Sequence, residues 1–325
     1  MILKNLLKKL PNINDGNKFA DYIELLCLVS NNGQLFVADV YDRLSDDVMG
    51  EFEDDEETSK SAIEDRQQQQ VKSIFRNYLA TRSRQLVDFY PFEYEDIHCS
   101  ISLKNDLNPE RKFYIALLLS SNLSFINTPH SSQLPKIFET ASFEIFKQFF
   151  PKKSQVHYFG AGGIRRNSSV FKGNLFKKIK DLAVMLHLDI LKNITEEEIG
   201  KHNTGDNGLD LVGWYSFKDN APGTMMTFAQ CACGDDWEDK QIESHSFRWR
   251  NYIHFYNQPS NIIFFPRQYR KPDGSWLKTT TINDTVLIDR KRLLELFEKT
   301  QNSHFMPQYE SIIDQVLKEK ISDFD

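Results

Sequence analysis

Residues 205–214 read Gly-Asp-Asn-Gly-Leu-Asp-Leu-Val-Gly-Trp, and a second apolar run, Phe-Ala-Gln-Cys-Ala, follows at residues 228–232. The first run predicts a glycine-flanked turn that delivers an acidic residue, Asp210, onto an apolar strand. The second predicts a strand that carries a single amide, Gln230. A carboxylate on a buried strand calls for a metal ion, a basic partner or a catalytic role, because burying it without compensation is unfavourable. These two strands therefore decide both the fold and the candidate site.

A β-hairpin is the predicted connection between these strands. Residues 218–223 between them read Lys-Asp-Asn-Ala-Pro-Gly, a polar stretch rich in turn-forming residues. We expect the strands to cover residues 209–217 and 224–232.

The register of this hairpin brings polar groups together. It places Asp210 opposite Gln230, or opposite Ala232 if the register shifts by two, and opposite residues share a face of the sheet. Asp206, four residues earlier in the turn, is near enough to contribute. Mg²⁺ takes oxygen ligands, often one or two protein carboxylates together with waters and substrate phosphates. The pattern therefore predicts a divalent-metal corner at one end of the sheet.

The elements around the hairpin predict the fold class. An amphipathic helix is expected over residues 175–188 and another over 237–252, with apolar strands at 261–265 and 285–288. This order predicts an α/β core in which helices flank a mixed central sheet.

Two domains are predicted from the change of texture after Pro151. Residues 1–150 are expected to form a mostly α-helical domain that regulates, forms a homo-oligomer or contacts a partner protein. Residues 151–325 are expected to contain the α/β core and its site. A length of 325 residues fits two domains at roughly 100–200 residues each.

The run Gly-Asp-Asn-Gly-Leu-Asp, with the later Gln-x-x strand, resembles the restriction-endonuclease-like PD-(D/E)xK nuclease superfamily. The closest likeness is to its Mrr-like branch, which has Gly-Asp-Gly-Gly-x-Asp and Gln-x-Lys, and it covers about residues 170–270. The resemblance implies a restriction-endonuclease-like fold and a DNA nuclease that depends on Mg²⁺ or Mn²⁺. It implies that Asp210 binds the metal and that Gln230 is a second ligand. Family context adds a role in restriction or phage defence.

Ala232 departs from this family pattern, because it stands where the family has its catalytic lysine. The amide of Gln230 also brings no negative charge to a metal. One explanation is that Lys240, at the end of the run Asp-Trp-Glu-Asp-Lys, supplies the missing cation from the next helix. Another is a degenerate site in a module that only binds DNA. A third is an interaction scaffold, in which Asp210 pairs with a buried Arg or Lys.

The charge distribution predicts where nucleic acid would bind. The net charge is −6, yet residues 46–65 hold ten acids, and residues 151–180 hold eight Lys or Arg and no acid. Such asymmetry can place a nucleic-acid surface within an acidic protein, although a solvated basic face is an equally open reading. The residues predicted to contact phosphates are Arg165, Arg166, Lys172, Lys177, Lys178, Arg248 and Arg250.

Several other classes of protein are excluded or disfavoured. The glycine-rich loop at 159–163 lacks the spacing of a dinucleotide fingerprint and has no Walker lysine, and no Gly-x-Ser-x-Gly elbow is present. No apolar run reaches the length of a membrane span, and no signal-peptide cleavage site is expected at the N-terminus. The four scattered cysteines indicate neither a zinc site nor a disulfide framework. A reducing, cytoplasmic location is therefore expected.

Overall fold

The computed structural model describes residues 2–48, 60–160, 169–297 and 304–321. The chain divides into two compact units. The first comprises Met1–Ser131, Gln268–Leu277 and Met306–Asp325, and the second comprises Ser132–Arg267 and Lys278–Phe305. These units differ from the predicted division at residue 150, because two late segments of the chain fold into the first unit and the helix before residue 150 folds into the second.

Helices and strands are interspersed along the chain. The helices are α1 Gly16–Val29, α2 Val37–Val48, α3 Lys60–Ile74, α4 Ala80–Gln85, α5 Pro109–Ser120, α6 His130–Phe146, α7 Leu175–Met185, α8 Glu196–Ile199, α9 Trp237–Lys240, α10 Ser246–Trp249, α11 Arg290–Phe297 and α12 Met306–Lys318. The strands are β1 Gln34–Phe36, β2 Phe92–Glu95, β3 Ser100–Leu103, β4 Gln155–Tyr158, β5 Asp189–Ile190, β6 Leu211–Trp214, β7 Met226–Cys231, β8 Ile253–His254, β9 Ser260–Phe264 and β10 Val286–Ile288.

The first unit contains a small sheet in addition to its helices. The prediction of a mostly α-helical domain did not include this sheet. Strands β1, β3 and β2 form an antiparallel sheet in that spatial order. Helix α1 is buried along almost its whole length, and α5 begins with an Asn108 cap followed by Pro109. The Asn108 side chain accepts a hydrogen bond from the Arg111 amide at 2.9 Å, which satisfies an amide that the helix leaves unpaired.

A mixed five-stranded sheet forms the centre of the second unit, in the order β10-β9-β7-β6-β4. The predicted hairpin is confirmed, since β6 and β7 pair antiparallel. The predicted strands at 261–265 and 285–288 are confirmed as β9 and β10, which run parallel to β7. Strand β4 was not predicted and pairs antiparallel with β6.

Helices cover both faces of this sheet. On one face, Phe228 of β7 packs with α7 residues and with Trp249 of α10 in one apolar cluster. On the other face, Phe264 of β9 contacts Phe146 of α6, with ring centroids 6.1 Å apart. Cys231 stands beside Phe264 in the ladder, so it shares the α6 face. The predicted α/β core with helices on a mixed sheet is therefore present.

The prediction of one continuous helix over residues 237–252 is wrong, since α9 and α10 are separate short helices. The segment between them carries two fully buried polar side chains, Gln241 and Ser244. The Gln241 amide donates to the carbonyls of Glu238 and Thr281, and the Ser244 hydroxyl donates to Asn261 at 2.8 Å. These bonds hold the segment against the sheet edge, where a straight helix would leave the groups unpaired.

Candidate functional site

The turn before β6 presents the carboxylate of Asp206. Its Oδ1 accepts a hydrogen bond from the Gly208 amide at 3.0 Å, an Asx turn. Asn207 and Gly208 both have left-handed backbone, with φ of 55° and 77°. A Cβ on Gly208 would stand 2.4 Å from the Cβ of Glu243. Backbone conformation and close packing therefore both require glycine at this position.

Two basic side chains hold the same turn in place. The Lys178 ammonium donates to the carbonyls of Thr204 and Gly205, at 2.8 and 3.0 Å. The Arg248 guanidinium donates to Asn207 Oδ1 at 2.7 Å. Both cations were predicted to contact nucleic acid. In the structure both donate hydrogen bonds to the turn, and Lys178 is only 8 % exposed.

A β-bulge sets the direction of Asp210. Leu211 pairs with Ala229 in the predicted register, and the Asp210 amide donates to the carbonyl of the same Ala229 at 3.1 Å. Two successive residues thus oppose one, which breaks strict alternation at this point. The Asp210 carboxylate then accepts a hydrogen bond from the Cys231 amide at 2.7 Å, in place of a ladder carbonyl. Asp210 is therefore anchored beside Cys231, on the α6 side of the sheet.

Asp206 and Asp210 converge on the chain at Gly160. A Cβ on Gly160 would stand 2.9 Å from Asp206 Oδ2 and 3.4 Å from Asp210 Oδ1. Gly160 is buried, and its amide donates to the Asp210 carbonyl at 3.3 Å. A glycine here leaves the space that the two carboxylates occupy. The predicted contribution of Asp206 to the site agrees with this geometry.

Glu139 of α6 is an acid of the site that the sequence did not indicate. Burial raises the pKa of Asp210 well above its usual range, and the nearby charges of Glu139 and Asp206 raise it further. The Cys231 amide and the Lys240 ammonium act in the opposite direction. Glu139 precedes the expected domain boundary, so its helix was assigned to another domain. The sequence feature that could have identified Glu139 is an acidic residue within an apolar helix that precedes the sheet.

Gln230 lies on the other face of β7 from Cys231, because side chains alternate along a strand. It therefore shares the face of Phe228 and Trp249, and the bulge removes Asp210 from that face. Gln230 is 6 % exposed, and its Oε1 has no hydrogen-bond partner among the described residues. The prediction that Asp210 faces Gln230 assumed strict alternation of side chains along β6, and the bulge interrupts this alternation.

Ala232 is buried, and its amide donates to the Phe264 carbonyl at 2.8 Å, so no cation stands at the family's lysine position. The flanking Cys231 and Cys233 also belong to the surroundings of the acids. Burial raises the pKa of both thiols, and the negative charges of Asp210 and Glu139 raise it further, whereas Lys240 and Arg267 act in the opposite direction on Cys233. Both thiols are therefore neutral near pH 7.

Lys240 lies close enough to Asp210 for its positive charge to act on that carboxylate. It ends α9, which the stacking of Trp237 on Phe265 holds against the sheet, with ring centroids 4.2 Å apart. The Lys240 charge opposes the rise in the pKa of Asp210. Its ammonium also lies 3.4 Å from the carboxylate of Asp236, and the side chain is 29 % exposed. Lys240 is thus a partly solvated cation whose charge acts on Asp210.

The remaining predicted phosphate contacts are spread over the surface. Lys172, Lys177 and Arg250 are exposed, and the Lys177 ammonium lies 3.7 Å from the Asp181 carboxylate. Arg165 and Arg166 lie outside the described residues, as does most of the acidic run.

The Asp206 and Asp210 carboxylates suit a divalent cation that takes its remaining ligands from water or substrate. No group of three or more His, Cys, Asp or Glu is arranged to enclose a metal ion in the described parts of the chain. Asp206 and Asp210 supply hard oxygen donors around the Gly160 cradle, and their mutual repulsion falls when a cation lies between them. This matches Mg²⁺ held by one or two carboxylates with waters and substrate, and does not match an all-protein cage.

No protein-family model, curated protein or solved structure matches this chain. The residues and geometry of the chain itself are therefore the basis for assigning a function. Within the described ranges, no helix is both long and apolar enough to cross a membrane.

Proposed function

We propose that the second unit is a restriction-endonuclease-like domain and that the protein is a metal-dependent nuclease that hydrolyses phosphodiester bonds in DNA. The order of elements supports this proposal. The helix expected before the hairpin is α7, the hairpin is β6–β7, and the expected next strand is β9, reached through α9 and α10. The sheet is mixed, with an antiparallel hairpin beside parallel strands.

The convergence of Asp206 and Asp210 on Gly160, with Glu139 adding a third negative charge, carries the proposal. Burial and the neighbouring charges of Glu139 and Asp206 raise the pKa of Asp210, and a bound cation would relieve this unfavourable environment. Perturbed acids of this kind occur preferentially at functional sites. Glu139 takes the place in the site that the sequence assigned to Gln230.

The residues at this corner suit phosphodiester hydrolysis. When bound, Mg²⁺ or Mn²⁺ supplies an activated water and neutralises charge on the phosphate. Asp210 and Asp206 are the ligands we assign to it. We assign to Glu139 the role of accepting the proton of the attacking water as its oxygen bonds to phosphorus, while the P–O ester bond breaks and the leaving oxygen takes a proton from solvent. The Lys240 ammonium stabilises the charge that develops on the phosphate oxygens.

One observation favours the second candidate, a module that binds DNA without cleaving it. Ala232 leaves the strand without its cation, and Lys240 is already engaged by Asp236. Under this alternative the carboxylate corner still binds metal and the exposed basic residues still bind DNA, but no hydrolysis follows.

Plasmid cleavage with Mg²⁺ or Mn²⁺ separates the two candidates. The wild-type protein is expected to cleave, and Asp210→Ala is expected to lower the rate about 100-fold or more, as loss of a principal electrostatic group does. Asp219→Ala is the matched control, because Asp219 is an exposed acid in the hairpin loop. It is expected to cleave at the wild-type rate.

Three results would overturn parts of the proposal. Equal cleavage by the wild type and Asp210→Ala would show that the assigned site is wrong. No cleavage by either protein, with salt-sensitive DNA binding by both, would leave the binding module as the function. No retention of DNA at low salt, together with no metal binding in calorimetric titration, would favour an interaction scaffold.

A further inference from the structure

A cleft of about 480 Å³ opens beside the turn that carries Asp206. Its volume lies within the range of about 300–1,000 Å³ that is typical of small-ligand sites. Leucine and isoleucine side chains form the apolar part of its lining. The polar part consists of Asn193, Asn203, Asn207, Asn251, Glu198 and Tyr252. The lining therefore combines flat apolar walls with several amide groups, and the carboxylate corner uses none of them.

Asn207 lines this cleft in an orientation fixed by the Arg248 guanidinium. Its Oδ1 accepts from the Arg248 guanidinium at 2.7 Å, and arginine only donates, so this contact fixes which end of the amide is oxygen. The amide nitrogen of Asn207 is buried and has no hydrogen-bond partner among the described residues.

The charge of the lining argues against a phosphate as the occupant. Glu198 is the charged residue of the lining and is acidic, so it repels anions and accepts hydrogen bonds from amino groups. Side-chain amides pair with the donor and acceptor edges of bases, and a carboxylate accepts from an exocyclic amino group. The ring of Tyr252 supplies an aromatic surface of the kind on which unpaired bases stack. These groups together match a neutral nucleobase.

We propose that this cleft binds one unstacked nucleobase of the DNA substrate, an inference that rests on the proposed nuclease function. Asp206 and Asn207 are consecutive residues, so one turn contributes to both the carboxylate corner and the cleft. A phosphate at the corner and a base in the cleft can then belong to one nucleotide or to two neighbours. The cleft would select which phosphodiester reaches the acids, and binding there costs the unstacking of a base.

Nucleoside titration in metal-free buffer tests the cleft apart from catalysis. Deoxyadenosine and deoxycytidine are expected to give saturation-transfer signals with the protein, and deoxyribose 5-phosphate is expected to give none. Tyr252→Leu should weaken nucleoside binding about 5- to 150-fold, the range for loss of one base stack, and Tyr252→Phe should retain it. Asn251→Ala should weaken binding, whereas Asn220→Ala, an exposed asparagine in the hairpin loop, should not.

DNA binding distinguishes a substrate base from a free nucleotide. In an Asp210→Ala background, fluorescence anisotropy with a single-stranded DNA oligonucleotide should show weaker binding after Tyr252→Leu and unchanged binding after Tyr252→Phe. Nucleoside binding with an unaltered DNA affinity in Tyr252→Leu would make the cleft a free-nucleotide site and overturn the proposal. Absence of nucleoside binding would also overturn it. Plasmid cleavage tests the proposed nuclease function separately. A negative result for the nuclease function therefore does not decide the nucleobase site, and a negative result for the nucleobase site does not decide the nuclease function.

Discussion

The two units both bury carboxylates, but they balance the charge differently. In the first unit, the Arg82 guanidinium lies 2.7 Å from Asp21 and 2.8 Å from Glu24, and all three side chains are almost inaccessible. The hydroxyls of Tyr90 and Tyr114 donate to Glu24 as well. Opposite charges and hydrogen bonds thus satisfy these acids within the fold.

In the second unit, like charges gather with weaker compensation. Asp210 is near Asp206 and Glu139, and the opposing cation, Lys240, is partly exposed and shared with Asp236. Under the proposed function, we expect this difference to separate a structural carboxylate from a functional one. A structural acid has a buried partner of opposite charge, whereas a functional acid leaves part of its charge for a ligand to neutralise.

The largest expected effect is on the balanced network. Arg82→Met should lower the free energy of unfolding by about 3–5 kcal/mol, because it leaves two buried carboxylates without their cation. Denaturant unfolding measures this change. Arg84→Met is the matched control, since Arg84 is exposed, and it should change stability little. Equal stabilities for the two variants would show that the network is not a principal source of stability.

The next largest effect is metal stabilisation of the unbalanced site. Mg²⁺ or Mn²⁺ at about a hundred times its Kd should stabilise the wild type by about 2.7 kcal/mol, since it binds only the folded protein. Calorimetric unfolding should show a higher melting temperature. Asp210→Asn should lose this shift, and Asp219→Asn should keep it. A shift of equal size in all three proteins would place the metal elsewhere.

A smaller effect is expected at Lys240. Lys240→Ala should lower kcat about 10-fold or more and leave KM nearly unchanged, because the ammonium acts on charge that develops during the reaction. Lys201→Ala provides the comparison, since Lys201 is an exposed lysine paired with Glu197. Unchanged kcat in Lys240→Ala would remove this residue from the proposed machinery.

The smallest effect is the pH dependence of the metal-free protein. Because the folded state raises the pKa of Asp210, folding favours its protonated form. The stability contributed by that proton is present below the ordinary carboxyl pKa and is lost as the pH rises through the folded-state value. Asp210→Asn should therefore gain stability relative to the wild type as the pH rises from about 4. A constant difference across this range would contradict the assigned environment of Asp210.

The hairpin shows how far local sequence reaches. The turn at 205–208, the two apolar strands and the pairing of Leu211 with Ala229 follow from turn chemistry and alternation, which are properties of neighbouring residues. The bulge at Asp210 does not follow from them. It depends on the Cys231 amide of the facing strand, to which the Asp210 carboxylate binds.

Glu139 and Lys178 show what local sequence could not assign. Glu139 reaches the site because α6 packs on the sheet, a contact between segments that are distant in sequence. In the sequence, Lys178 is one of several lysines expected at the surface. In the structure its ammonium donates hydrogen bonds to two carbonyls of the turn. In both cases, long-range packing decides the neighbour, and the neighbour decides the role.

The sequence by itself determined the apolar strands, the glycine-flanked turn and the acid that the turn delivers, because these depend on backbone preference and the period of a strand. Only the tertiary structure decided which face Asp210 occupies, that Glu139 joins it and that Gln230 lies on the other side. The physical reason is that the ionisation and reach of a carboxylate are set by the charges and amides around it, and those come from α6, β7 and the chain at Gly160.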